Sequence, residues 1–599
     1  MKIIQIVWGI SFFMLFSCKA PKEKSYPEAD AVYLSLTKTF VLNKDGSILN
    51  SVEKRQKLFT YRAFQSLYGE TRIPYNPEIQ KLVVSEAYTT NAENQTINTP
   101  ENGYNEVLPT FCQDSKAYSN LREMVVSHTG LERNAVIKCT YNITTASGKT
   151  PFLMGMEELQ ADCPIDNLTI VVKVQPKMKL HYKLLNLTSE PIIDQGKDFD
   201  TYTWNFQDLP QRRKEIRSAS VCEDIPTLLF TTQKDISAAI NWVLKSKSSP
   251  NSINKEIKKY VDTAIKDKKS LQEKALAIQK IVVNELKTLH IPASLVAFQA
   301  RPEEEVWKSN SGTVLEKAFL LSYLLRLEGL NADVCLNIPE DLLEEQRPLL
   351  LAAEPIVKID NVNGEIMLLT ADRLNAGNLD LGIPPFRILT LNAAHKVFSV
   401  NKPTGIINVE GKLIISRDGK LQGELTGQFS GRFNPYFEII RNQGKCPPLL
   451  SDFTGSTGKL TADQANVSFK VEKMDQLLIR GDFRFLDLKE SKSGISSFHL
   501  VSMPFTRTSA LYLGTPIDES YHYTINLPAN WQLVNPVNIE FLKPGIGHVM
   551  ISLKQSGSVI EAIRKIRIFS PVIAKKDYSE FRELIDKWST QKFKQLIIK

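Results

Sequence analysis

Acyl transfer by a thiol needs a cysteine at a helix N-terminus, where the backbone dipoles and a nearby imidazolium stabilise the thiolate, and a carboxylate to orient the imidazole. The stretch from Ser309 to Leu336 supplies the scaffold for such a site. Gly312 marks a turn, and a helix follows with Ala318, Leu320, Leu321, Leu324 and Leu325 as its apolar content. Gly329 ends it before the strand ADVCLNI. The first helical turn carries Val314, Glu316 and Lys317, and none of these is a thiol.

The remaining reactive residues are scattered. Between residues 229 and 390 the sole cysteine is Cys335, on an apolar strand where a buried thiol serves as core filler. His290 precedes the helix and His395 lies beyond the strands that follow it; the other histidines are His128, His181, His499, His522 and His548. Cys112, Cys139, Cys163, Cys222 and Cys446 show no CxxC or Cys/His ligand spacing, so neither a metal nor any cofactor is expected. A Cys112 to Cys163 disulfide and buried free thiols both remain open. Glu303, Glu304 and Glu305 read as a helix start, where carboxylates favour the dipole. Trp307 reads either as cover for a cleft or as core, and Glu316 as a cleft group or, with Lys317, as a solvated pair. Tyr61, Tyr68, Tyr75, Tyr104 and Tyr118 lie among polar residues, and such rings either stack on sugars or pack inside a sandwich. Gly-rich phosphate loops and a recognisable glycosidase carboxylate pair are absent.

The elements that must position these residues fall into three blocks. From about 31 to 228, alternating runs such as YLSLTKTFVL, KLVVSEAYT and LTIVVKVQP predict a large antiparallel β-sandwich, with Asn43 to Gly46 as a hairpin turn. Within it, SNLREMVVSHTGL is expected to hold a helical turn. From 229 to 390, helical periodicity over Thr232–Lys245, Ile253–Ile265 and Leu271–Leu289 precedes the central helix and later strands, an α+β domain. From 391 to 576 strands return as a second β-sandwich, with a turn at Asp418-Gly419, and residues 577–599 form a C-terminal helix. A chain of 599 residues, 42% hydrophobic and 23% charged, is long enough for several cores. Its net charge of +8 is spread without a basic block, which argues against nucleic acid.

The first 18 residues run from Lys2 through an apolar stretch, Ile3 to Phe16, to Ser17-Cys18. That stretch is shorter than the ~20 residues of a spanning helix. It predicts a lipoprotein signal, with Cys18 acylated by chains such as palmitate and residues 19–30 as a tether. The expected location is the outer membrane, on the periplasmic face, because Lys19, Lys22 and Lys24 make the start of the tether basic.

The middle block resembles the bacterial transglutaminase-like domains, papain-like folds whose motif is a Gly, a variable residue and a Cys opening the core helix. YRAFQSLYGETRIPYNP (Tyr61–Pro77), TPENGYNEVLP (Thr99–Pro109), REMVVSHTGLE (Arg122–Glu132) and YTWNFQDLP (Tyr202–Pro210) resemble the domain of unknown function that precedes such domains in secreted bacterial proteins. YHYTINLPANWQLV (Tyr521–Val534) looks like their C-terminal β partner. The resemblance implies a Cys, His and Asp triad, and the matching positions here carry Val314, Glu354 and Leu369. An isopropyl group cannot attack a carbonyl. The expectation is therefore a non-catalytic envelope protein that binds a peptide or glycan, or scaffolds an envelope complex, with Trp307, Glu316, Tyr68 and Tyr104 as binding candidates. The alternative is an active thiol-dependent transglutaminase, peptidase or amidase using another cysteine.

Overall fold

The computed structural model describes residues 24, 26–113, 115–212, 215–218, 225–245, 255–339, 349–362, 365–374, 386–392, 396–399, 404–430, 433, 461–463, 466–471, 477–488, 490–491 and 494–599. The expected lipidation site, Cys18, lies outside them, as do Cys222, His395 and Cys446. The end of the expected tether is docked: the Tyr26 hydroxyl donates to Asp166 and its ring stacks on Phe59 with centroids 5.8 Å apart. No helix among the described residues is long and apolar enough to cross a membrane.

The first unit contains strands β1 (Ala31–Leu42), β2 (Ile48–Leu58), β3 (Glu70–Tyr75), β4 (Gln80–Thr90), β5 (Thr96–Asn98), β6 (Tyr104–Val107), β7 (Arg122–Ser127) and β8 (Val136–Thr145). It continues with β9 (Met154–Glu158), β10 (Ile165–Val174), β11 (His181–Leu185), β12 (Ile192–Gln195), β13 (Asp200–Leu209) and β14 (Thr227–Thr231). One sheet has the order β12-β13-β10-β1-β2-β8-β4-β5, and two three-stranded sheets, β3-β7-β6 and β11-β14-β9, belong to the same unit. The sandwich is therefore antiparallel except at β1 and β10, which run parallel. Ile73 and Val126 pack with Ala87 and Tyr141, while Leu228 and Phe230 pack with Leu168, Ile170 and Trp204, so each small sheet closes one part of the large one. The Asn43–Gly46 hairpin forms as expected, with Gly46 at φ +83°. The helical turn expected around Arg122 is a strand instead, because Val125 and Val126 are β-branched and pair into β3; one 3-10 turn, Lys116–Tyr118, precedes it. Pairing of β14 with β9 and β11 carries this unit to Thr231, past the expected boundary at 228.

The middle unit opens with α1 (Ile236–Lys245), α2 (Lys255–Ile265) and α3 (Leu271–Glu285). Helix α3 stops at Glu285 rather than at Leu289, because β15 (Lys287–Leu289) pairs in parallel with β16 (Ser311–Thr313). After α4 (Glu303–Lys308) comes α5 (Val314–Leu327), buried among Leu276, Val282, Val334, Val357 and Leu369. Then follow β17 (Ala332–Pro339), α6 (Leu349–Ala352), β18 (Glu354–Val362), β19 (Glu365–Leu369), β20 (Phe386–Thr390) and β21 (Val397–Ser399). These strands form one antiparallel sheet, β19-β18-β17-β20-β21, so the unit reaches Ser399 instead of ending at 390.

The third unit is a second sandwich around an eight-stranded sheet that includes β22 (Gly405–Ile415) and β23 (Leu421–Ser430), joined by the expected turn with Gly419 at φ +79°. The tail is a helix, α7 (Tyr578–Ser589), which buries Phe581, Leu584, Ile585 and Trp588 in this core. It does not remain helical: Gln595–Ile598 pairs as a strand with Phe483–Asp487, because Leu596 and Ile598 alternate inward. Cys112, Cys139, Cys163 and Cys335 are all free and buried. Cys112 packs with Tyr118 and Leu121 and Cys163 with Leu58 and Ile137, two separate clusters, so the disulfide between them does not form.

His128 is 6% exposed, with Nε2 2.7 Å from Thr71 Oγ1, and burial together with the Lys54 ammonium pushes its pKa from 6.5 down to about 4. Between those values the unfolded chain binds a proton that the folded chain refuses, so stability falls as pH drops from about 6.5 to about 4 and levels off below. Urea titrations across this window should show His128→Gln losing a slope of about 1.4 kcal/mol per pH unit relative to the parent. An unchanged slope means that other groups set the acid sensitivity.

Candidate functional site

The N-terminus of α5 is built around one carboxylate. Glu316 is fully buried, and five donors converge on it: the Tyr118 hydroxyl at 2.6 Å, Arg301 N, Nε and Nη2 at 3.0, 2.7 and 3.1 Å, and Thr313 N at 2.8 Å. Thr313 returns the bond, its Oγ1 accepting from Glu316 N, which completes a capping box. The Arg301 guanidinium lies 4.7 Å from the centre of the Tyr118 ring and also donates to Ser311 O and Ser309 Oγ. Lys317 turns elsewhere, donating to Leu286 O at 2.8 Å and Thr288 Oγ1 at 2.7 Å, and burial pushes its pKa down to about 8. The solvated Glu316–Lys317 pair expected from the sequence is thus two fully buried groups with separate partners, while Val314 and Leu315 in the same turn are only half-buried.

Beside this network lies a cavity of about 340 Å³. Leu289, Ile291 and Phe298 form one wall, Val314 and Leu315 the helix end, and Leu336, Leu350 and Pro355 the wall from the sheet side. His290 and Gln299 are exposed at its edge. Among its described lining residues there is no thiol, carboxylate, lysine or arginine. A second recess, of about 300 Å³, lies between α2 and α3 around Tyr260, Lys268 and Lys280 and shares no lining residue with the first.

The positions matched to the triad do not converge. Val314 sits on the cavity wall. Strand alternation places Pro355 beside it and turns Glu354 to the face of Ile356, where its carboxylate meets Arg373 Nη2 at 3.0 Å and burial raises its pKa. Leu369 pairs with Val357 and is core, fully buried beneath α5. Cys335 likewise faces Ile356, Leu368 and Ile388 on the sheet's other side, and burial pushes its thiol up to about 12.

Of the binding candidates, Glu316 underlies the cavity, and the structure does not bring the others to it. Trp307 packs on the middle core with its ring edge-on to Tyr260 at 5.7 Å. Tyr68 packs half-buried against Ala31, Leu58 and Cys163, and Tyr104 half-buried against Ile73 and Val126; Tyr75 and Tyr118 are buried, and Tyr61 alone of the five stands exposed. Arg301 went unrecognised in the sequence; the Thr313–Glu316 capping-box spacing was the available signal for a structural Glu316. Replacing Glu316 with Gln leaves the Arg301 charge without its counter-ion, and should cost about 3–5 kcal/mol in chemical unfolding. A loss under 1 kcal/mol would show the network to be dispensable.

Comparison with known proteins follows this architecture. Residues 44–213 match the family model described as a Domain of Unknown Function with solved-structure structure, DUF3857, and residues 494–598 match the one described likewise as DUF3858. Neither covers the unit that carries the cavity. No curated protein matches the chain. A solved structure from Parabacteroides distasonis, presented as a candidate protease, is 24% identical and covers 95% of this chain and 99% of its own, with a TM-score of 0.70. A candidate cysteine protease from Cytophaga hutchinsonii is 11% identical over 59% of this chain and 87% of its own, at a TM-score of 0.18. The periplasmic domain of TgpA from Pseudomonas aeruginosa is 13% identical over 38% and 78%, at 0.16. The last two superpose too loosely to bear on the site. The chain therefore shares with the Parabacteroides structure a complete multidomain fold, here an α+β unit between two β-sandwiches.

Proposed function

We propose that this chain is a non-catalytic protein of the cell envelope, a transglutaminase-like scaffold that has lost its triad and binds an extended apolar peptide segment where the chemistry would otherwise stand. The observation that carries this reading is the lining of the Val314 cavity: carbon from three sides, with His290 as its one titratable side chain among the described residues. At about 340 Å³ it lies at the lower end of ligand pockets, which run roughly 300–1,000 Å³. Apolar side chains of a peptide match such a lining better than sugar hydroxyls, and the packing of Tyr68 and Tyr104 into the sandwich removes the main support for a glycan platform. In the same reading Cys18 holds the protein on the outer membrane, facing the periplasm.

The competing thiol-enzyme reading needs a reactive cysteine, and Cys335 is its candidate in this unit. Burial on the far face of the sheet argues against it. Iodoacetamide at pH 7.5 should label Cys335 in the folded protein no faster than global unfolding exposes it, and promptly in urea. Rapid labelling of Cys335 in the native chain would falsify the non-catalytic assignment.

Binding is tested with pentapeptides rich in Leu, Val or Phe, followed by isothermal titration. Filling the cavity through Val314→Trp should weaken their binding at least tenfold. Equal affinity in that variant, or binding of oligosaccharides in place of the peptides, overturns the peptide reading.

A further inference from the structure

We propose that the first sandwich controls the binding site from outside it, with Tyr118 as a positioning residue that holds the Val314 cavity in its open shape. The inference rests on reading that cavity as the ligand site and adds how it is controlled.

Two of its three sides lean on the first unit. Leu289 and Ile291 line the cavity and also pack, together with Leu295, against Cys112, Tyr118 and Leu121 of the first unit. The backbone of this wall is fixed from the same side, since Asn76 Nδ2 donates to Leu295 O at 2.8 Å in a buried bond. The opposite wall begins at Thr313 and Val314, and its start is set by Glu316, whose Oε1 receives the Tyr118 hydroxyl while Oε2 receives Thr313 N. Ser115 Oγ lies 3.1 Å from Ser311 Oγ, buried, just before the same turn. Tyr118 thus touches one wall with its ring and ties the other with its hydroxyl.

Such an arrangement couples ligand affinity to the docking of the two units. A ligand that needs both walls in register binds the docked state in preference to the undocked one, so loosening the dock lowers apparent affinity by the fraction of docked molecules. The first unit then has a role in binding without touching ligand.

The test uses the full chain and N-phenyl-1-naphthylamine, a neutral apolar fluorophore, as the probe. Tyr118→Phe keeps the ring and removes the hydroxyl; Leu168→Ala, deep in the first sandwich core, serves as a control that lowers stability without touching the dock. Tyr118→Phe should weaken the probe at least fivefold at a temperature where both variants are folded by circular dichroism, and Leu168→Ala should leave it unchanged. Should Tyr118→Phe fail to fold, Asn76→Ala reads the same wall and should weaken the probe likewise. Parental affinity in the dock variant, or equal weakening in the control, overturns the positioning role. Val314→Trp separates the two readings: if it leaves the probe bound as before, the cavity reading falls and this inference with it, whereas loss of binding there with no effect at Tyr118 sinks the coupling alone.

Discussion

A carboxylate stripped of water costs several kcal/mol unless its lone pairs are met with good geometry, and in this chain the carboxylate of Glu316 is the point where that condition orders everything around it. Its donors come from three places: Tyr118 in the first sandwich, Arg301 in the loop before α4, and Thr313 at the cap of α5. A shift of any of these segments takes at least one donor from a fully buried carboxylate. The start of the core helix, the seating of the first unit on the middle one and the height of the cavity wall are therefore one constraint.

The glycine that opens the helix belongs to the same constraint. A Cβ at Gly312 would stand 2.9 Å from Val306 Cγ1 and 3.2 Å from Glu316 Oε2, closer than a side chain tolerates beside packed neighbours. Glycine is thus required here first by the Val306 methyl and then by the carboxylate, with no appeal to a substrate. The same holds for Lys317, whose ammonium satisfies Leu286 O at the end of α3, where the chain leaves the helix to become β15. Gly312, Glu316 and Lys317 all serve, in this fold, as fittings of helix termini.

The architecture was legible because it is written in periodicity: alternation of two in both sandwiches, the apolar run of α5, and the turn residues at Gly46 and Gly419. What periodicity cannot convey is where a long-range partner arrives. Thr313 and Glu316 could be seen to cap a helix, but Tyr118 lies 198 residues from Glu316, and nothing local announces that its hydroxyl ends there. Glu316 and Lys317 looked solvated because local pattern assumes an exposed helix face, whereas α5 is enclosed by α3, α4 and the sheet. Tyr75 and Tyr104 looked like a surface because their sequence neighbours are polar; on β3 and β6 those neighbours alternate outward while the two rings turn toward the sandwich, whereas Tyr61, on no strand, is exposed.

The parity of β17 and β18 decides which strand side chains reach the cavity. Leu336 pairs with Pro355 toward the helix, and Cys335 pairs with Ile356 away from it. Bringing the thiol to the cavity takes a slip of one residue, and a slip of one residue exchanges faces for the whole strand. Val334, Leu336 and Ile338 would then leave the core under α5, and Asp333 and Asn337 would enter it, a set of unpaired polar groups in place of three buried apolar ones. The hydrophobic pattern that fixes the register is the same pattern that keeps the cysteine on the far side, so a reactive thiol at Val314 has to come from substitution at that position and not from rearrangement of the sheet.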